Sequence, residues 1–393
     1  MDKLKHKFEN GHLTLYLRGH IDSANAARTE ELADQAIREN SPATLSADCS
    51  GLEYISSAGL RILLRLRKRF PGLRLDNVSP EIFEILDMTG FTELMEVHKA
   101  YRQISIEGCE IIGSGANGKV YRIDPDTIVK VYDDADALPD ITRERELARK
   151  AFIAGIPTAI PYDVVRVGDG YGSVFELLNA RSFASLLAED PSRRRELVGL
   201  SVELLNKIHG TRLEPGELPE MKETVLGWAA FLQPYLPESE GARLKELVEN
   251  VPEHPYMLHG DYHFKNVMLQ DGEVLLIDMD TLSMGHPVFE LGNLYAAYLG
   301  YSELEPEKTQ VFYGFPHKTA EDLWADTLDL YLGDAAPAQK QKVADQAMLI
   351  SCMRVMRRSI RRHGLNDPKG RAMVSACKQH ISDLLGRLDR LDF

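Results

Sequence analysis

Between residues 256 and 282 the chain reads YMLHGDYHFKNVMLQDGEVLLIDMDTL, a stretch dense in side chains that can do chemistry. His259 and His263 stand four apart, the spacing of two zinc ligands on a helix. Gly260 lies between them in an extended, turn-rich context, and no His-Glu-x-x-His string exists, so zinc has no further support. A second reading accounts for more residues. Asp261 follows His-Gly, Asn266 comes five residues later, and Asp278 ends the apolar run VLLI. Phosphoryl transfer from ATP needs a carboxylate to accept the proton of the receiving hydroxyl and two oxygen ligands to hold magnesium against the phosphates. Asp261, Asn266 and Asp278 supply those parts in that order.

Such residues need elements to place a nucleotide against them. Upstream, IEGCEIIGSGANGKVYRIDPDTIVKVY carries Gly113, Gly115 and Gly118 in a G-x-G-x-x-G spacing. A dinucleotide-binding turn would continue into a helix, whereas KVYRI and TIVKVY alternate like the two strands of a hairpin around Asp-Pro-Asp. Glycines between strands let backbone N–H groups fold closely over phosphates, and Lys130 then falls in the third strand, where a phosphate-pairing lysine belongs. The segment DITRERELARKAFIAG predicts a helix ended by Gly155 and Pro157, offering Glu144 or Glu146 as the carboxylate that steadies Lys130. The strand YGSVFELL ends in a hinge whose backbone at Glu176 and Leu178 can bond an adenine edge. Residues 318–390 are helical in pattern, and RVMRRSIRRHG within them reads as a charged helix face, with phosphate or anionic-partner binding as the alternative.

The ordered set of glycine turn, Lys130, Glu144, HGDYHFKN and IDMD resembles the kinase-like phosphotransferase superfamily of aminoglycoside and choline kinases, over residues 106–393. The resemblance favours Glu144 over Glu146 and implies that Asp261 is the catalytic base, that Asn266 and Asp278 bind Mg2+, and that His259 orders the loop. Asp280 would face the metal or the acceptor. GHPVFELGNL resembles the family's Gly-Asp-Pro segment, with His286 and Glu290 in place of the usual aspartates. No Ala-Pro-Glu signature follows Asp278, so a eukaryotic-type activation loop is not expected.

Ahead of this, HLTLYLRGHID, NAARTEELADQAIREN, ATLSADCS, SSAGLRILL, LRLDNV and PEIFEILDMTGF alternate between strand and helix patterns, a small α/β domain. Their order, Gly19 with Asp22, SSAGL at a helix start and DMTGF resemble the STAS domain of bacterial anti-sigma-factor antagonists, over residues 1–105. The family's motif is Asp-Ser-Ser-Gly-Leu, its first serine phosphorylated by a partner kinase. Here Ser56 takes the place of the aspartate, Ser57 that of the phosphoacceptor, Ala58 that of the second serine and Gly59 that of the glycine. A serine before an apolar helix is also an ordinary N-cap.

The expected architecture is therefore an α/β STAS-like domain (1–105) followed by an α+β bilobal kinase-like fold (106–393), with an N-lobe at 106–178 and a helical C-lobe at 179–393. The net charge of −14 argues against a general nucleic-acid surface. Residues 1–105 carry 14 Lys+Arg against 15 Asp+Glu and the remainder 32 against 45, so a hydroxyl-bearing cation fits the charge balance of the second part. Four scattered cysteines, a charged N-terminus and no membrane-length apolar run point to the cytoplasm. Three functions are open: transfer of phosphate to a small-molecule hydroxyl, phosphorylation of Ser57 or a partner STAS protein, and a non-catalytic nucleotide-binding signalling module.

Overall fold

The computed structural model describes residues 4–114 and 118–393, so Gly115 of the glycine-rich turn lies outside the described residues. The chain forms two units, Met1–Glu107 with Val164–Gly172, and Gly108–Asp163 with Ser173–Phe393.

In the first unit, β1 (His6–Glu9) and β2 (His12–Ile21) make an antiparallel hairpin closed by Asn10 and Gly11, both at positive φ as a two-residue turn demands. The chain then alternates through α1 (Ala26–Asn40), β3 (Thr44–Ile55), α2 (Ser57–Arg69), β4 (Arg74–Val78), α3 (Pro80–Met88), α4 (Phe91–Leu94) and β5 (Glu96–Lys99), with β6 (Arg102–Ile104) after it. Strands β2 to β5 pair in parallel in sequence order, which the intervening helices make possible. The period-two pattern of β2 sends Leu13, Leu15 and Leu17 into the core, where they join Leu45, Leu75 and the α2 stripe Leu60, Leu63 and Leu66.

In the second unit, β7 (Glu110–Ser114), β8 (Gly118–Asp124) and β9 (Thr127–Tyr132) form an antiparallel meander. Gly118 is required there: a Cβ at this position would lie 2.1 Å from the Val131 carbonyl oxygen. Next comes α5 (Leu138–Ile153); of the two strands after it, β10 (Asp163–Val167) falls almost wholly in the first unit, and β11 (Gly170–Glu176) starts there and ends in the second. The helical part begins after β12 (Arg181–Ser182) with α6 (Phe183–Glu189), α7 (Arg194–His209), α8 (Met221–Leu232) and α9 (Glu238–Glu249). Two small sheets follow: β13 (Met257–Leu258) pairs with β16 (Ser283–Met284), and β14 (Val267–Gln270) with β15 (Glu273–Leu276). They carry the segments 259–266 and 277–282. The chain closes with α10 (Pro287–Tyr298), α11 (Glu307–Tyr313), α12 (His317–Leu332), α13 (Pro337–His363) and α14 (Pro368–Leu385).

Helix α10 is buried on nearly every side and crosses α13 closely, because Gly292 presents no side chain to Ile350; a Cβ there would lie 2.4 Å from the Ile350 side chain. Among the described residues no helix is long and apolar enough to cross a membrane.

Candidate active site

Lys130 projects from β9 between two acids. Its Nζ donates to both carboxylate oxygens of Glu144 on α5, at 2.9 and 3.1 Å, and reaches Asp278 Oδ1 at 3.4 Å. Glu144 is buried and Glu146, two residues on, is exposed, because helical geometry turns only one of them toward the sheet. The Tyr132 hydroxyl, two residues along β9 on the same face, donates to Glu144 Oε2 at 2.5 Å. Burial alone would depress the Lys130 ammonium, but Asp278 and Glu144 outweigh it and hold it above its ordinary value.

Asp261 follows β13 in a loop whose backbone groups are held by the side chains of His259, Glu290, Asn293 and Arg354. His259 accepts the Asp261 N–H on Nδ1 at 3.2 Å and places Nε2 3.1 Å from the Ile277 carbonyl, an arrangement that assigns the proton to Nε2. Glu290, fully buried on α10, accepts the N–H groups of His259 at 2.5 Å and Gly260 at 3.1 Å. Gly260 needs its left-handed φ of +84°, and a Cβ there would come within 2.4 Å of the Thr281 carbonyl oxygen. Asn293 of α10 and Arg354 of α13 both donate to the Gly260 carbonyl, at 3.0 and 3.1 Å. Arg354 also donates to Asp261 Oδ1 at 2.8 Å, while His263 Nε2 lies 3.6 Å from Oδ2. Burial pushes the Asp261 carboxyl up, but His263, Arg354 and His259 together bring it well below the usual carboxylate range.

Asn266 donates its Nδ2 to the Asp261 carbonyl at 3.0 Å, so its side-chain oxygen is the atom left for a ligand. Asp278 holds a left-handed backbone, φ 66° and ψ 67°, a strained state for a non-glycine residue of the kind that clusters at functional sites. Burial and the neighbouring Asp278 charge push Asp280 up to about 7. Among the described residues no group of three His, Cys, Asp or Glu side chains forms a closed metal cage. The available donors, an amide oxygen and carboxylates, are hard oxygens, which fits magnesium: that ion takes one or two protein carboxylates and completes its shell with phosphate and water.

Comparison with known proteins decides the frame. The model of the Phosphotransferase enzyme family, APH, matches residues 108–324, more than half of the chain, and the STAS domain model matches residues 3–104. The chain belongs to the phosphotransferase enzyme family, with a STAS domain before the phosphotransferase domain. The N-terminal part is 34% identical over 102 residues to a Bordetella bronchiseptica protein named as the anti-sigma factor antagonist BtrV, covering 25% of this chain and 82% of that one. A thermostable mutant of the aminoglycoside phosphotransferase APH(4)-Ia, solved with ADP and hygromycin B, superposes with a TM-score of 0.50 at 12% identity, over 71% of this chain and 93% of that one. A choline/ethanolamine kinase family protein from Mesorhizobium loti gives a TM-score of 0.46 at 14% identity, over 72% of this chain and 89% of that one.

Within the phosphotransferase domain the structure brings Lys130, Glu144 and Asp278 together, and joins Asp261 to Asn266 through one loop. Gly113 lies on β7 and Gly118 on β8; Glu176 ends β11, with Leu178 two residues beyond. Ser57 belongs to the first unit. There the Ser56 Oγ accepts the Ala58 N–H at 3.2 Å as the N-cap of α2, and Ser57 is exposed as the first helical residue. Sequence reasoning passed over Tyr132, Asn293 and Arg354. For Arg354 a signal existed, since Arg354, Arg358 and Arg362 recur every four residues and so form one stripe of α13. The two departures at 285–294 also have physical roles: Glu290 anchors the loop, and His286 caps α10 by accepting the Val288 N–H at 3.1 Å.

Proposed function

We propose that the chain is a cytoplasmic ATP- and Mg2+-dependent phosphotransferase that moves the γ-phosphoryl group to the hydroxyl of a small molecule, with its STAS domain as a regulatory or docking module. The observation that carries this reading is Lys130 held between Glu144 and Asp278. A cation in that position pairs with nucleotide phosphates while its buried carboxylate partner fixes its reach. The backbone of Gly113 and Gly118 covers the phosphates, and the Glu176 and Leu178 backbone receives the adenine edge; Gly115, the third glycine assigned to the phosphates, lies outside the described residues. Asn266 and Asp278 would hold Mg2+, whose charge would offset that of the phosphates. Asp261 orients the acceptor hydroxyl and takes its proton as the acceptor oxygen attacks phosphorus; the bond to the β,γ-bridging oxygen breaks and its electron pair leaves on ADP. On this reading residues 1–105 are the STAS domain, 106–178 the N-lobe and 179–393 the C-lobe.

A second reading, phosphorylation of Ser57 or of a partner STAS protein, is favoured by the exposure of Ser57 and by Ser56 taking the capping bond. One experiment addresses both. The full-length protein is incubated with Mg2+ and γ-labelled ATP, with and without candidate hydroxyl acceptors, and the label is located by mass spectrometry. Asp261→Asn is expected to bind nucleotide and to lose transfer by about 10²- to 10⁴-fold, the usual worth of a general base. Unchanged turnover in that variant removes Asp261 from its role; label on Ser57 moves the assignment to the protein kinase.

A further inference from the structure

Beside Asp261 lies a cavity of about 800 Å³, large enough for an organic molecule, lined by the end of α10, by α11, by one face of α13 and by the start of α14. Its charge runs against that of the chain. Arg354, Arg358 and Arg362 line it from the α13 stripe, joined by Lys265, Lys308 and Lys369. The carboxylates in the lining are Asp261, paired with Arg354, and Glu305, paired with both Lys308 and Lys369. Arg358 lies over the Tyr301 ring at 5.0 Å and Lys265 over the Phe312 ring at 4.1 Å, and among the described residues Lys265, Arg358 and Arg362 form no ion pair with a carboxylate. Stacking on a ring leaves the edge of a guanidinium fork open to an oxyanion. The wall beyond is apolar: Val311 is 86% and Phe312 49% exposed, with Leu304 and Met373 also in the lining.

We propose that the acceptor is an anion: a small hydroxyl compound bearing a phosphate or carboxylate group read by Arg358 and Arg362, with an apolar portion against Phe312 and Val311. This rests on the phosphotransferase reading and names its substrate class. It replaces the cationic acceptor suggested by the overall charge, because a cation entering this cavity would meet the exposed guanidinium groups of Arg358 and Arg362 and the exposed Lys265 ammonium, like charges that repel it. The volume of about 800 Å³ suits a small molecule rather than a folded domain.

The test keeps one three-carbon scaffold and changes only its head group. Full-length protein with Mg2+ and a non-hydrolysable ATP analogue is melted with glycerol, glycerate, glycerol 3-phosphate or 3-amino-1,2-propanediol at matched ionic strength. Glycerate or glycerol 3-phosphate is expected to raise the midpoint by a few degrees in a saturable way, as ligands of the folded state do, while glycerol and the amine do not. The stronger of the two anions identifies the head group. Arg358→Gln/Arg362→Gln is expected to abolish the shift, and Arg358→Lys/Arg362→Lys to restore part of it. Stabilisation by the amine, an anion shift that persists in the glutamine variant, no shift with any compound, or a shift seen only with a phosphoserine peptide each overturns the proposal. Failure of the transfer reading shows separately, as no label transfer by the wild-type protein or as unchanged transfer in Asp261→Asn.

Discussion

At the scale of single residues, the decisive pairing is Arg354 with Asp261. On the proposed reading, in which Asp261 takes the acceptor's proton, a carboxylate beside a guanidinium is a weak base held in a fixed orientation, and Arg354 is its positioning residue through the Gly260 carbonyl and Asp261 Oδ1. Arg354→Gln removes a charge that lowers the Asp261 carboxyl. The acid limb of kcat/KM against pH is therefore expected to move to higher pH, because protonating the carboxylate becomes easier, together with a loss of rate. A profile that drops without shifting would leave Arg354 with a packing role alone. The proposed constellation of Asp261, Asn266 and Asp278 was readable as residue types at set spacings, because the three lie within one short segment. Arg354 stands 93 residues from Asp261, and no local pattern encodes that meeting; only the fold brings them together.

At the scale of elements, the loop owes its shape to how closely α10 and α13 approach. Ile350 packs on Gly292, and Arg354 lies one helical turn further along the same face of α13, next to the Gly260 carbonyl that Asn293 also holds. Gly292→Ala is expected to cost about 1–3 kcal/mol, the usual range for overpacking, and to lower transfer activity by moving both donors. Ile350→Ala in the same chain should recover part of the loss despite removing core surface, so the two changes are non-additive; chemical denaturation of the four proteins measures the coupling. Simple addition of the two costs would mean that the helices do not meet as described. Other elements were readable from period and turn residues, as in the hairpin of β8 and β9. Helix α10 was not. Its segment GHPVFELGNL has no polar face because it is buried all round, and a helix without amphipathic contrast gives no periodic signal.

At the scale of the whole molecule, the helical core carries a built-in acid sensitivity. His209 is buried, with Nδ1 2.7 Å from the Tyr331 hydroxyl and Nε2 without a hydrogen-bond partner among the described residues, near Glu290, His254 and His286. Burial, aided by His254 and His286, pushes it down to about 3, and burial takes His286 to about 4. Above the ordinary histidine value of 6.5 both states are neutral and nothing is lost. Below it the unfolded chain binds protons that the folded chain refuses, so stability falls on acidification, by about 1.4 kcal/mol per pH unit for each such group. Glu290, raised by burial, works in the opposite sense by favouring proton uptake in the folded state. Urea midpoints between pH 7.5 and 5 should decline, and His209→Gln should flatten the decline; an unaltered slope would discount His209.

The division of labour around the loop has an evolutionary consequence. Glu290 and Asn293 hold the transfer apparatus from beneath on α10, which is sealed in the core, whereas the surfaces that meet the acceptor belong to α11, α13 and α14. Arg358 and Arg362 are exposed and bear no structural bond to the loop, so exchanging them rewrites what is recognised while the reaction itself is spared. Arg354 is the hinge between the two jobs: a lineage can change its clientele freely along α13 as long as that one position stays fixed.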